Sequence, residues 1–422
     1  MNNMSIKIEN LVKQLGKKGR NACLLMSNIS SYKKNKTLEN ISKMIEKNKN
    51  LILKANKIDL SNATKNKLNS AKIDRLSLNE ERIKDIQGSL HDIINFEDPI
   101  NKIIEKRSRP SGIKIKKIST PIGLIGIIYE SRPNVTIDAA ALCIKSSNSA
   151  ILRPGSESYQ SCLALFNCIN EGLIKTGLPE HLIQIIPTTN RIAVKKLIQM
   201  TDYIDVIIPR GGKNLVKLIQ DTAKVPVFAH LEGIVHTYIH KDADPKMVEK
   251  LILNSKLRRP GICGALECLL INKTFFHKHG LNLVNKLLDN GVEIRGDKLV
   301  NKINGVKLAN DEDWGKEFLD KILSVKVTDN LKKAIEHINK YNSNHTDSII
   351  TKSQNIANKF FSEIDSAIVM HNVSTQFADG GEFGMGAEIG IGTGKLHARG
   401  PIGAKELTSF KFIIEGKGIL RK

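Results

Sequence analysis

The sequence predicts an α/β fold in which parallel sheets are covered by helices. Three observations carry that expectation. From Leu124 onward, short apolar runs alternate with helical segments over short connections. The runs are apolar throughout, which suits strands buried on both faces. A second series of the same kind follows residue 263.

The first hundred residues precede this pattern and read as helices. Ile8, Leu11, Val12 and Leu15 share one helical face, as do Ile83, Ile86, Leu90, Ile93 and Ile94. Ser77 and Glu80 have the spacing of a capping box ahead of the second stripe. After Ser111, GIKIKKIST alternates apolar and basic residues as a half-exposed strand does. LIGIIY (Leu124 to Tyr129) is the first buried strand, and others are expected at 150–152, 183–186, 205–208 and 227–239. In the second series the candidates are ECLLIN (267–272), KILSVKV (321–327), DSIIT (347–351) and SAIVMHN (366–372). The tail LTSFKFIIEGKGILRK alternates again and predicts an edge hairpin. With 422 residues the chain exceeds one compact core, and the main domain boundary is placed near residue 240.

No apolar run approaches the roughly 20 residues that span a bilayer. The N-terminus lacks the apolar core and cleavage site of a signal peptide, so a cytoplasmic chain without membrane partners is expected. The net charge is +22, but the lysines are scattered and aromatics for base stacking are few. A nucleic-acid partner is therefore not expected, although a positive field helps to gather phosphorylated substrates.

The six cysteines are Cys23, Cys143, Cys162, Cys168, Cys263 and Cys268. None forms a C-x-x-C pair and no histidine pair lies beside them at ligand spacing, so no metal is expected. Cys263 stands apart, in KLRRPGICGALECLLINK (Lys256 to Lys273). Pro260 and Gly261 bend the chain just before it. Arg258 and Arg259 supply the electropositive surroundings that favour a thiolate. The bland alternative is an inert core cysteine.

No G-x-G-x-x-G fingerprint or P-loop is present; in GIGTGK (390–395), Ile389 and Leu396 break the P-loop pattern. The informative stretch runs from Pro121 to Ser158, where a buried strand ends in ESRPN and the next ends in RPGS. Ligands collect at the carboxyl ends of such strands. An amide at Asn134 can donate to an oxyanion, and Arg153 and Ser156 can hold ribose or phosphate.

These blocks, with HLEGIVH (230–236), GICGALECLLIN, NHTDSIIT (344–351) and DGGEFGMGAEIGIGTGKLHARGPIGAKELTSFKF (379–412), resemble the γ-glutamyl phosphate reductase family of the aldehyde dehydrogenase superfamily. The likeness runs the length of the chain. It implies an aldehyde-dehydrogenase-like α/β fold of two Rossmann-like parallel-sheet domains plus a small oligomerisation hairpin. The implied domains are 1–240, with the N-terminal helices, the NADP site and an oligomerisation strand at 113–123; 241–368, carrying Cys263; and 369–422, a return segment and oligomerisation tail.

The resemblance makes Cys263 the nucleophile and Asn134 the oxyanion donor. It places Arg153, Ser156, Gly211, Gly212 and Glu317 at cofactor-binding positions. Arg132, Lys395, His397 and Arg399 are the cationic candidates for the substrate's phosphate and α-carboxylate. The implied reaction is NADPH-dependent reduction of L-glutamyl 5-phosphate to L-glutamate 5-semialdehyde through a cysteine thioacyl intermediate, the second step of proline biosynthesis. The implied partners are a homo-oligomer (dimer or tetramer) and coupling to glutamate 5-kinase. A different acyl donor, or a basic nucleic-acid binder, remain the alternatives. The chain departs from the family pattern at Gly264 (usually asparagine), Pro154 (usually glycine) and Cys268 (usually threonine). His230 stands where hydrolytic relatives carry a general-base glutamate, consistent with an acyl intermediate that must not meet water.

Overall fold

The computed structural model describes residues 3–26, 28–229 and 232–421. The chain divides into two compact units. Unit 1 comprises Met1–Ala229, Gly384–Gly390 and Ile402–Lys422, and unit 2 comprises His230–Phe383 and Ile391–Pro401. The first break therefore falls ahead of residue 240, because Val235–Ile239 pairs within the second sheet. The segment 369–422 is shared between the units rather than forming a piece of its own.

Unit 1 opens with five helices: α1 (Asn3–Met26), α2 (Ser31–Lys47), α3 (Lys49–Lys65), α4 (Ser70–Leu76) and α5 (Glu80–Asn95). Ile83, Ile86, Leu90 and Ile93 are buried along α5. Its N-cap is Asn79, whose side chain accepts from the Arg82 N–H. Ser77 instead closes α4, so the Ser77–Glu80 capping box does not form. An asparagine two residues closer to the helix out-competes it.

Next come β1 (Ile103–Ser108), β2 (Lys114–Pro121) and β3 (Leu124–Tyr129), followed by α6 (Val135–Lys145), β4 (Ser149–Pro154), α7 (Tyr159–Thr176), β5 (Ile183–Ile185), α8 (Arg191–Leu197), β6 (Val206–Arg210) and α9 (Lys213–Thr222). The parallel sheet has the order β5-β4-β3-β6. The chain thus builds outward from β3 in one direction and then returns to its other side, which makes β3/β6 the switch point where such sheets open a crevice. A separate antiparallel sheet joins β1, β2 and the strand Thr408–Glu415. The tail contributes this single strand, paired with β2, and among the described residues no second strand follows it to make a hairpin.

Unit 2 contains β7 (Val235–Ile239), α10 (Pro245–Leu257), β8 (Leu266–Asn272), α11 (Lys273–Phe275), α12 (Leu281–Asp289), β9 (Glu293–Gly296), β10 (Lys307–Leu308), β11 (Ile322–Thr328), α13 (Leu331–Tyr341), β12 (Thr346–Ile350), α14 (Gln354–Glu363) and β13 (Ile368–His371). Its parallel sheet runs β10-β9-β11-β8-β7-β12-β13, with β8 at the centre and every residue of β8 buried. Only Val235–Ile239 of the expected 227–239 strand forms. Two short antiparallel strands, β14 (Ile391–Gly392) and β15 (Gly400–Pro401), complete the unit. Among the described residues, no helix is long and apolar enough to cross a membrane.

The N-terminal helices are tied to α6 by buried lysines. Lys145 Nζ donates to Asn35 Oδ1 (2.8 Å) and to the Ile94 carbonyl (3.0 Å) near the end of α5. Lys34 Nζ bonds Asp98 (2.7 Å) and the Lys145 carbonyl (3.3 Å). Burial pulls Lys145 down to about 8, although the Asp98 carboxylate favours its charge. Between about 8 and the ordinary 10.5 the unfolded chain holds a proton the native state has lost, so stability rises with pH through that window. Below about 8 that contribution is absent. Relative to Lys145→Met, the wild-type chain is expected to gain stability as pH rises across this window. Denaturant unfolding of both proteins at several pH values checks it; parallel curves would sink it.

Candidate active site

Five of the six cysteines are buried and Cys263 alone is half-exposed. It owes this to the connection between α10 and β8. After Leu257 the exposed Arg258 and Arg259 lead into the Pro260–Gly261 bend, and Ile262–Ala265 closes a turn through the Ala265 N–H and the Ile262 carbonyl (3.0 Å). The Cys263 side chain rests against an apolar cluster that includes Met370, Ala378 and Ile391. Arg258 lines a cleft of about 450 Å³ together with Lys250, Asn372 and Glu382.

The turn is gripped from two sides. A Cβ on Gly233 would lie 2.3 Å from the Cys263 carbonyl oxygen and 2.9 Å from its Cα, so only glycine allows this approach. The Gly233 N–H donates to Glu317 Oε1 (3.0 Å), which brings the expected cofactor-side carboxylate and the expected nucleophile to one glycine. On the other side, a Cβ on Gly264 would sit 3.1 Å from the Thr375 carbonyl and 3.3 Å from Ala378 Cβ. The glycine that replaces the family's asparagine therefore accommodates a close neighbour. That neighbour is pinned to α10, where Thr375 N–H donates to Ser255 Oγ (3.1 Å) and Gln376 Nε2 to the Ser255 carbonyl (2.8 Å).

Both ends of the connection are fixed by a buried pair, Lys256 and Glu267, at 2.7 Å. Burial pushes Glu267 up to about 8 and Lys256 down, against the attraction of the pair. The second Glu267 oxygen accepts the Leu319 N–H (3.1 Å), so the same carboxylate also holds the loop bearing Glu317. Gly233, Lys256 and Glu267 were not singled out from the sequence. A glycine ahead of a strand and an i, i+11 charge pair carry no signal of their own.

In unit 1, Asn134 is the N-cap residue of α6, and its Nδ2 donates to Asp138 Oδ2 one turn on (2.9 Å). An amide has two N–H groups, and this contact fixes its orientation. Ser131, in a left-handed conformation at φ 50°, donates N–H and Oγ–H to Glu157 Oε1 (2.6 and 2.9 Å), which anchors the loop between β3 and Asn134. Arg132 is half-buried in that loop.

Arg153, at the end of β4, is 7% exposed. Its Nη1 and Nη2 donate to the Pro154 and Thr189 carbonyls (3.0 and 2.7 Å), and its Nε is buried with no hydrogen-bond partner among the described residues. Ser156 is exposed at the start of the following turn. Gly211 and Gly212 form the turn between β6 and α9, at the switch point, where the Gly212 N–H donates to Glu130 Oε2 (3.0 Å). That helix terminus thus already faces a carboxylate.

Lys395, His397 and Arg399 belong to the loop between β14 and β15. Asp365 pairs with Lys395 and, at 2.6 Å, with Arg399 Nη1. The position of His230 lies outside the described residues.

Two units with parallel sheets, one presenting a partly exposed cysteine on a clamped turn, define a dehydrogenase-type architecture. The sequence model of the aldehyde dehydrogenase family matches residues 7–294. Gamma-glutamyl phosphate reductase of Bartonella henselae is 50% identical over 412 residues, covering 97% of this chain and 100% of that protein. The protein of the same name from Zymomonas mobilis subsp. mobilis is 48% identical, covering 96% and 95%. The crystal structure of gamma-glutamyl phosphate reductase from Thermotoga maritima superposes with a TM-score of 0.93 at 39% identity, covering 97% and 100%. The chain belongs to the aldehyde dehydrogenase family and, within it, to the gamma-glutamyl phosphate reductases.

Gly233→Ala is expected to leave the chain folded and to lower kcat by about 100-fold, the scale of an ångström-sized displacement of a reacting group. Steady-state kinetics beside a melting curve checks this; near-normal kcat would show that the turn tolerates the methyl.

Proposed function

We propose that the chain reduces L-glutamyl 5-phosphate to L-glutamate 5-semialdehyde and phosphate, with Cys263 as nucleophile. The observation that carries this reading is the partial exposure of Cys263 on a turn held rigid by Gly233 and by the Lys256–Glu267 pair. The near-full-length likeness to reductases of that name supports it.

The Cys263 thiolate attacks the acyl-phosphate carbonyl. A carbon–sulfur bond forms, the carbon–oxygen bond to phosphate breaks, and inorganic phosphate leaves with the electron pair. One difficult reduction becomes two easier steps. The oxyanion formed at the attacked carbonyl is assigned to the Asn134 amide, whose orientation Asp138 holds. Lys395, His397, Arg399 and Arg132 remain the cationic candidates for the substrate's anionic groups, with Asp365 keeping Lys395 and Arg399 together.

The family's cofactor class is NAD(P), and NADPH is proposed here. The donors fit such a group: the orphaned Nε of buried Arg153 and the exposed hydroxyl of Ser156 lie at the end of β4, while the Glu130 carboxylate that occupies the Gly211–Gly212 turn would have to give way to a phosphate there. When bound, NADPH supplies hydride for the thioester carbon. Glu317, held by the Gly233 N–H, is the carboxylate assigned to the ribose. A cytoplasmic location and functional coupling to glutamate 5-kinase complete the proposal.

Cys263→Ser is expected to abolish phosphate-dependent NADP reduction with glutamate semialdehyde, and Asn134→Ala to lower kcat about 100- to 1000-fold. Turnover by the serine variant, or insensitivity of the wild type to thiol alkylation, would count against the assignment.

The antiparallel sheet is proposed as the oligomerisation surface. Phe410, Phe412 and Ile414 on its terminal strand are 49%, 56% and 63% exposed, and apolar side chains in a row on an edge strand invite pairing with a second copy. Replacing Phe412 and Ile414 by glutamate is expected to yield smaller particles in sedimentation velocity than the wild type gives. An unchanged mass would send the interface elsewhere.

A further inference from the structure

We propose that His236, Cys268 and His337 form a binding site for one thiophilic divalent metal ion of the zinc class. The three side chains are buried at 0%, 1% and 6% exposure, and one donor atom from each lies within 4.8 Å of the others. Nothing in the proposed reaction uses them.

The fold builds this cluster from rigid parts. His236 on β7 and Cys268 on β8 are register partners on adjacent parallel strands. His337 comes from α13. Its Nε2 lies 3.7 Å from the Cys268 sulfur. For a tetrahedral zinc with bonds of about 2.3 Å to sulfur and about 2.0 Å to nitrogen, that separation is about 3.5 Å, so this pair already stands close to ligating distance.

The surrounding hydrogen bonds select the ligating nitrogens. His236 Nδ1 lies 3.0 Å from Asp347 Oδ1, and the other Asp347 oxygen accepts from Ser366 Oγ. This is the carboxylate–histidine arrangement that orients metal ligands and strengthens their donation. With Nδ1 committed, His236 Nε2 is left to the cluster, where it is buried beside the Cys268 thiol. His337 Nδ1 lies 3.4 Å from Lys326 Nζ, which leaves Nε2 for the sulfur side. Lys326 is half-buried and can turn its ammonium to water when a cation enters. Two imidazoles and one thiolate are a donor set for zinc or its close relatives rather than for magnesium or calcium. Binding displaces the Cys268 thiol proton to solvent.

The test titrates reduced, chelator-treated full-length protein with Co²⁺, then Zn²⁺. One equivalent of Co²⁺ is expected to give a thiolate-to-cobalt charge-transfer band that Zn²⁺ removes. Cys263→Ala should retain the band, and Cys268→Thr should lose it. Asp347→Asn should weaken Zn²⁺ binding about 10- to 100-fold. Zn²⁺ should also raise the melting temperature of the wild type but not of Cys268→Thr, which shows at once whether the variant folds; if it does not, His337→Gln takes its place in both measurements. A band that survives Cys268→Thr, disappears with Cys263→Ala, or never forms in the wild type overturns the proposal.

Discussion

A lysine and a glutamate withdrawn from water fix the segment on which the rest of the proposed chemistry depends. Lys256 stands at the end of α10 and Glu267 near the start of β8, so their contact sets the span that carries Cys263. Removing such charges from solvent costs several kcal/mol per ion before any attraction is counted, so the pair adds little net stability. Its effect is on geometry. Either group alone in that place is unfavourable, and conformations of the turn that separate them are suppressed. Because Glu267 also accepts the Leu319 N–H, the constraint extends to the loop holding Glu317.

Strand β8 serves two purposes through its alternation. Successive residues of a strand face opposite sides of the sheet. Glu267 turns toward α10 while Cys268 turns toward α13, where His337 resides. One central strand therefore links the turn bearing Cys263 to a polar cluster on the other face. In unit 1 the equivalent work is done at the ends of β3, β4 and β6, where Glu157 and Glu130 organise loops by accepting backbone N–H groups.

Much of the fold was legible in the sequence because buried parallel strands are continuous apolar runs. LIGIIY, ECLLIN and DSIIT fall on β3, β8 and β12. The charged IIEKRS of β1 and the short EIRG of β9 carry no such mark, since one is exposed and the other is only four residues long. The 227–239 run was read as one strand because both of its ends pair, but Val227 makes only an isolated bridge to Ile207 of β6 while Val235–Ile239 joins the second sheet. The partial exposure of Cys263 was legible from the Pro-Gly bend. The His236–Cys268–His337 cluster was not, since strand register and a helix 69 residues further on bring it together. Spacing rules for metal ligands look along the chain, and this grouping runs across it.

The strand Thr408–Glu415 pairs along its whole length with β2, nearly three hundred residues earlier. Contacts so distant in sequence form late and slowly. During synthesis β2 waits with a bare edge until almost all of the polypeptide has left the ribosome. Proteins of this design are thus exposed to mispairing while nascent, and a chain cut short before residue 408 would keep that edge open for good.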